Sequence, residues 1–288
     1  MKVIWVYENI NKKEDHYSRF NLLVMFASVS LWKRNHPEDT TWLYCDWMTK
    51  ELLEKLGVNI LWDNIELIEF NSPVNKKVFW ASSKLHVLSL QKEPVVIMDG
   101  DTLVFKPFKH HFKPNQVLVS NLELGRGYYP SGLDPLIRQL SYKPRPRWKT
   151  EALNVSFLYL PDPSFTNLYA KLSLEMMEEF TKLNAPNSKY LIFAEQLLLR
   201  HLLEKHNVDY RPIISNAWDC DKWDWDKQNT NNGIWPIDDS QTNFWHYGPL
   251  KDFIKDDHEL HPYSKEIKML HNCINFHKFI DLSIVAKR

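Results

Sequence analysis

Along the first hundred positions, apolar residues fall alternately into short continuous runs and into stretches spaced by three and four. The run VIWVY (3–7) reads as a strand, and Phe20, Leu23, Val24, Ala27 and Leu31 mark one face of a helix. TWLYC (41–45) is the next strand. TKELLEKLG (49–57) is a helix, with Thr49 as its N-cap and Gly57 at its C-terminal stop. IELIEF (65–70) reads as a third strand or a loop. Ala81, Leu85 and Leu88 place WASSKLHVLSL (80–90) on a helix that leads into the strand VVIM (95–98).

Strand–helix alternation of this kind predicts an α/β fold, a Rossmann-like and mostly parallel sheet flanked by helices. The second half is more mixed. VLVSNL (117–122), ALNVSFLYL (152–160), YRPII (210–214) and NFWHY (243–247) read as strands, with helices at about 165–183 and 189–206. Ligands of such sheets bind beyond the carboxyl ends of the strands. Tyr7 and Asn9 lie at one such end, and Asp99, Gly100 and Asp101 at another.

Composition narrows the class. Lys plus Arg and Asp plus Glu each total 36, so there is none of the basic excess expected of a nucleic-acid binder. Only 7 glycines occur in 288 residues, so each is expected where the backbone needs one. Three cysteines, an odd number without a C-x-x-C spacing, argue against a disulfide framework and suit a reducing compartment. The opening MKVIWVYEN reads as a strand and not as a signal peptide. The apolar segment from Phe20 to Trp32 is too short to span a bilayer. A cytoplasmic protein without a transmembrane segment is the expectation. No repeat or linker splits the chain, so residues 1–255 are expected to form a single catalytic domain, with 256–288 a polar helical tail packed on it.

The chemistry centres on PVVIMDGDTLVF (94–105). Two carboxylates at the end of an apolar strand repel each other and are costly to desolvate. A bound cation offsets that cost. Two carboxylates with open positions suit Mg²⁺ or Mn²⁺, whose remaining positions are taken by substrate phosphates. D-x-D also occurs at Asp219–Asp221 and Asp224–Asp226, in a loop-like run where water can solvate it. The competing reading of Asp99–Asp101 is a solvated Asp-Gly turn.

SKLHVLSLQKEPVVIMDGDTLVFKPF resembles the aspartate-motif segment of family-8, glycogenin-like glycosyltransferases: Lys84, Leu85 and His86, then Asp99, Gly100, Asp101, Thr102, Leu103 and Val104. Far along the chain, HYGPLK resembles that family's His-x-Gly-x-x-Lys, with His246, Gly248 and Lys251. LNVSFLYL resembles its Asn-Ser-Gly strand through Asn154, and AEQLLL its Gly-Asp-Gln-Gly helix start through Glu195 and Gln196. The chain departs from the pattern at Ser156, Ala194 and Leu197, where the family has glycine, at Glu195 in place of Asp, and at Asp252-Phe253 in place of Pro-Trp.

The resemblance implies a GT-A fold and a UDP-sugar donor. It implies Mn²⁺, with Mg²⁺ as the alternative, held by Asp99, Asp101 and His246. A hexose would pass to a hydroxyl of a carbohydrate, lipid or protein acceptor with retained configuration. Lys84 and Lys251 would neutralise the diphosphate as charge builds on the leaving group. Tyr7 and Asn9 would meet the base, and Gly100, Asn154 and Gly248 would complete the donor site. Glu195 and Gln196 would face the sugar. Independently of family, Glu195 shares an apolar helical stripe with Leu191, Leu198 and Leu202, where a carboxylate is costly unless it is functional or paired. Arg200 and Lys189 are the expected partners in the paired reading. The tryptophans between Trp218 and Trp245 read as an acceptor platform or a packed lid.

Other functional classes compete, including a structural or interaction module, which predicts no Mn²⁺-dependent nucleotide binding. A nucleotidyltransferase needs similar acidic ligands but usually a Gly-rich N-terminal phosphate loop, and VYENINKKED holds no glycine. A catalytically weakened nucleotide-sugar binding protein fits the lost glycines, and donor hydrolysis separates it from an enzyme.

Overall fold

The computed structural model describes residues 1–9, 19–107, 111–124, 130, 134–142, 151–214, 218–219 and 244–246, with backbone alone at 19–20, 218–219 and 244–246. These residues cluster into two compact units. The first comprises Met1–Ile68, Val96–His111 and the strand at 244–246, and the second comprises Glu69–Val95 with the described residues from Phe112 to 219.

The first unit carries the predicted alternation. Its elements are β1 (Lys2–Tyr7), α1 (Arg19–Asn35), β2 (Thr40–Cys45), α2 (Trp47–Lys55), β3 (Asn64–Leu67), β4 (Val95–Met98) and β5 (Thr102–Val104). The sheet order is β3-β2-β1-β4, with β1/β2 and β2/β3 parallel. All four residues of β4 are buried, as a strand covered on both faces requires. The helix predicted from Thr49 begins two residues earlier. Asp46 caps it instead, accepting the Thr49 backbone N–H at 3.0 Å and the Thr49 hydroxyl at 2.8 Å. At the true boundary the Asp46 carboxylate reaches a free first-turn N–H, whereas Thr49 already lies inside that turn.

The second unit contains α3 (Ser82–Ser89), β6 (Gln116–Leu124), β7 (Glu151–Leu160), α4 (Pro163–Lys182), α5 (Lys189–Ile192), α6 (Leu198–Lys205) and β8 (Asp209–Pro212). The strand order is β7-β6-β8, with β6/β7 antiparallel and β6/β8 parallel, and the short strand β9 (Trp218–Asp219) pairs with β6. The mixed second half is therefore as expected. The helix predicted over 189–206 is not uniform: a π turn, Phe193–Leu197, sits between α5 and α6.

Helix ends solve the shortage of glycine. α2, α4 and α6 each stop with a left-handed residue, namely Gly57 (φ 66), Asn184 (φ 55) and Asn207 (φ 54). In each, the following residue's N–H reaches back into the last turn: Val58 to Leu53, Ala185 to Phe180 and Val208 to Leu203. Asparagine tolerates the left-handed region better than other side chains do, so it serves at two of these three stops. Among the described residues, no helix is long and apolar enough to cross a membrane.

Candidate functional site

In the first unit, β4 delivers Asp99 and Asp101 to its carboxyl end. Asp99 is half-buried, whereas Asp101 is only 6% exposed. The Thr102 N–H donates to the Asp99 carbonyl at 3.1 Å, which closes the turn between β4 and β5. A buried relay holds this turn from behind. The Trp5 indole N–H donates to Ser28 Oγ at 3.0 Å, and Ser28 Oγ donates to the Thr102 carbonyl at 2.6 Å. All three residues are fully buried. One side chain of α1 thus ties β1 to the residue that follows Asp101.

β5 pairs antiparallel with β10 (Phe244–His246), and His246 stands opposite Thr102. Two motifs far apart in sequence lie on adjacent strands, where paired Cα atoms are about 4.5–5.5 Å apart. The side chain of His246 and all of Gly248 and Lys251 lie outside the described residues. Among the described residues, no group of three or more His, Cys, Asp or Glu side chains is placed to hold a metal.

Gly100 corrects one expectation. Its φ is not positive, and an added Cβ would meet Met25 at 3.4 Å, an ordinary contact. Backbone conformation therefore does not demand glycine at this position, in contrast to Gly57. At the end of β1, Tyr7 is half-buried and Asn9 buried, and the Asn9 N–H donates to Asp46 at 2.6 Å. Nearby at the end of β2, burial and the Asp46 charge push the Cys45 thiol up to about 12. It stays protonated at neutral pH and offers no thiolate.

The second unit holds a buried polar group of a different character. Lys84, on α3, is 8% exposed, and Glu195, in the π turn, is 4% exposed. Their charged atoms are 2.8 Å apart. Lys84 Nζ also lies 3.4 Å from the Val155 carbonyl of β7. The predicted partners of Glu195 are thus replaced. Arg200 instead bonds Glu151 at 2.7 Å and Glu204 at 3.0 Å, while Lys189 is exposed. The reason is long-range pairing: Lys84 arrives from α3 to take Glu195, while Glu151 and Glu204 take Arg200. Gln196, next in the turn, is half-buried.

Asn154 is buried on β7, where its amide donates to the buried carboxylate of Glu123 and its carbonyl oxygen accepts the Ser156 N–H at 2.9 Å. Asn121 pairs with Asn154 across the β6/β7 ladder, just past a register shift after Val119. Such irregularities re-aim side chains near sites. Sequence reasoning did not single out Glu123. The available signal was the pair Asn121 and Glu123, two residues apart and so on one face of an otherwise apolar strand. His86 stacks on Phe70 at 4.5 Å, and burial lowers its pKa. A surface cavity between α3 and α4, lined by Ser89, Asn167, Leu168, Lys171 and Leu174, contains none of these residues. The tryptophan-rich run after Asp219, apart from 244–246, and the tail lie outside the described residues.

Comparison with known proteins adds a family and distant likenesses. A family profile described as "Family of unknown function (DUF6734)" matches residues 2–246. No curated protein matches the chain. Among solved structures, the galactosyltransferase LgtC in complex with donor and acceptor sugar analogs is 12% identical over 73% of each chain, with a TM-score of 0.42. The PaToxG glycosyltransferase is 13% identical over 71% of this chain and 69% of that one, with a TM-score of 0.43. The glycosyltransferase GlyE of Streptococcus pneumoniae TIGR4 is 8% identical over 74% of this chain and 44% of its own, with a TM-score of 0.38. Likeness at this distance assigns neither chemistry nor ligand.

Proposed function

The chain belongs to the DUF6734 family, and we propose that it is a metal-dependent glycosyltransferase that moves a hexose from a nucleotide diphosphate sugar, UDP-sugar first, to a hydroxyl acceptor. The observation that carries the reading is the pairing of His246 with Thr102, one residue after Asp101. Two carboxylates and an imidazole from the two resembling motifs would make a donor set of hard oxygen and borderline nitrogen, which suits Mn²⁺ better than Mg²⁺. Asp101 is buried at the end of a covered strand, within a short turn of the β5/β10 pairing.

In the reaction, the bond from the anomeric carbon to the diphosphate oxygen breaks, and a bond from the acceptor oxygen to that carbon forms. The acceptor hydroxyl gives up its proton to the departing diphosphate oxygen, which balances the step. A bound Mn²⁺ would supply charge stabilisation to the diphosphate. Asp99, Asp101 and His246 would hold it, and Lys251 would add positive charge toward the leaving group. Tyr7 and Asn9 would meet the base, and Gly100 and Gly248 would allow close approach of backbone to the donor.

In the second unit, Glu195 and Gln196 would handle sugar hydroxyls and the positive charge that develops at the anomeric carbon. Lys84 pairs with Glu195 in the second unit, and in this reading it would tune that carboxylate as well as offer charge to the donor. Asn154, with Glu123 behind it, would bind a sugar hydroxyl through its amide. A carbohydrate, lipid or protein is the acceptor class, and retained anomeric configuration is the stereochemical expectation.

The test is thermal melting with UDP, GDP or neither, each with and without Mn²⁺, on the wild type and Asp101→Asn. A ligand that binds only the native state raises Tm. The expected result is a rise that needs both UDP and Mn²⁺ and is lost in the variant. Failure of every nucleotide to move Tm refutes the reading. UDP binding without donor hydrolysis would select the non-catalytic binding protein instead.

A further inference from the structure

We propose that Tyr169 is a positioning residue that fixes the π turn so that Glu195 meets Lys84; its importance for catalysis rests on the transferase reading above, but its structural role does not. Tyr169 lies on α4 with no exposed surface, and its hydroxyl donates to the Glu195 carbonyl at 3.2 Å. That carbonyl already receives the Leu198 N–H, which is shared with the Phe193 carbonyl five residues back. A shared donor serves each acceptor less well than an undivided one, because both cannot be aligned at once. The Tyr169 hydroxyl supplies a second donor at this point.

π turns are rare and sit preferentially at functional sites, because the wider ring is less favourable than the α-helix it interrupts. Something outside the helix must hold it. Here the holder is anchored on α4, which also packs against α3, the helix that carries Lys84. One rigid helix therefore backs both members of the ion pair. A phenolic hydroxyl on a fully buried ring has little freedom to follow a shift of the carbonyl, so it sets where the Glu195 backbone can lie. The carboxylate position follows from that.

The test compares Tyr169→Phe with Tyr190→Phe. Tyr190 is a second buried tyrosine of the same unit, whose hydroxyl bonds Asp134 at 3.1 Å and does not touch Glu195. The first readout needs no activity: lysine ¹³Cε NMR titration, with Lys84 assigned by Lys84→Arg and exposed Lys55 as reference. Tyr169→Phe is expected to move the Lys84 titration by about half a pH unit or more, with Lys55 unmoved. Tyr190→Phe is expected to move neither.

The second readout is donor hydrolysis. Tyr169→Phe is expected to lower kcat about tenfold with donor KM within about twofold, and to have no further effect in a Glu195→Gln background. A Lys84 resonance that moves equally in both Tyr variants, or in neither, overturns the proposal. An equal kcat loss in wild-type and Glu195→Gln backgrounds also overturns it. A wild type that hydrolyses no donor refutes the transferase reading, while the Lys84 titration still decides the role of Tyr169.

Discussion

Lys84→Met is the most informative single substitution in the second unit. It keeps the length and apolar stem of the side chain and deletes one charge. The ion pair it breaks is 2.8 Å long, between side chains that are 10% and 5% exposed. At an effective dielectric of about 20, the attraction at that distance is roughly 6 kcal/mol, most of it offset by the desolvation of both groups. The pair's net worth is therefore small, but the cost of breaking it is not. Removing the ammonium strands a buried carboxylate, for which losses of about 3–5 kcal/mol are typical. Lys84→Met should then lower the urea-unfolding free energy by about that amount at pH 7. The double variant Lys84→Met/Glu195→Gln removes the stranded charge and should recover at least half of the loss. Both unfolding curves are read by circular dichroism with m-values compared. A single variant within about 1 kcal/mol of wild type, or a double variant no better than the single, would refute the reasoning that the pair is buried and mutually dependent.

Three further outcomes are expected. Ser28→Ala removes the link between the Trp5 N–H and the Thr102 carbonyl, so it should cost about 2–4 kcal/mol by denaturant unfolding, and weaken Mn²⁺-dependent UDP binding, which unchanged stability would contradict. Burial and then Lys205 lower the pKa of His201, so as pH falls through about 6.5 the unfolded chain takes up a proton that the folded chain refuses. Stability should therefore fall from pH 7.5 to pH 5.5, and His201→Gln should flatten that slope in Tm measured against pH. Gly100→Ala should leave Tm within about 1 °C of wild type while Gly57→Ala lowers unfolding free energy by about 1 kcal/mol or more, so only the former can report on nucleotide binding without a folding loss.

The parts of the molecule legible in the sequence are those governed by local period. VIWVY, TWLYC and VVIM are strands because a covered strand needs an unbroken apolar run, and α1 shows its 3.6 spacing openly. The acidic turn was legible for the same reason: two charges at the end of such a run stand out. The Lys84–Glu195 pair was not, because it joins α3 to a turn more than a hundred residues away. Proximity in sequence offered Glu195 only nearby cations such as Arg200. Lys84 and Glu151, both distant in sequence, took the two residues instead. Glu123 was missed because a single carboxylate in a strand looks like an outward-facing one until the partner strand supplies Asn154. Asp46 was passed over as a cap because the apolar residue after it, Trp47, hid the boundary.

A π turn is also a record of chain length. It accommodates one residue more than the α-helix it interrupts while leaving the helices on either side in continuous alignment. At 3.6 residues per turn, each residue advances the helix by about 100°. Deleting one residue from Phe193–Leu197 would let the segment close into plain α-helix without disturbing the buried leucines of α6. A helix of this kind has two accessible lengths, and the shorter one is locally the less strained. What the shorter form loses is the placement of Glu195. Natural or engineered single-residue deletions here should therefore relieve the strain of the wide turn but no longer bring that carboxylate to Lys84, so that local relaxation and loss of the buried ion pair arise from one and the same event in the gene.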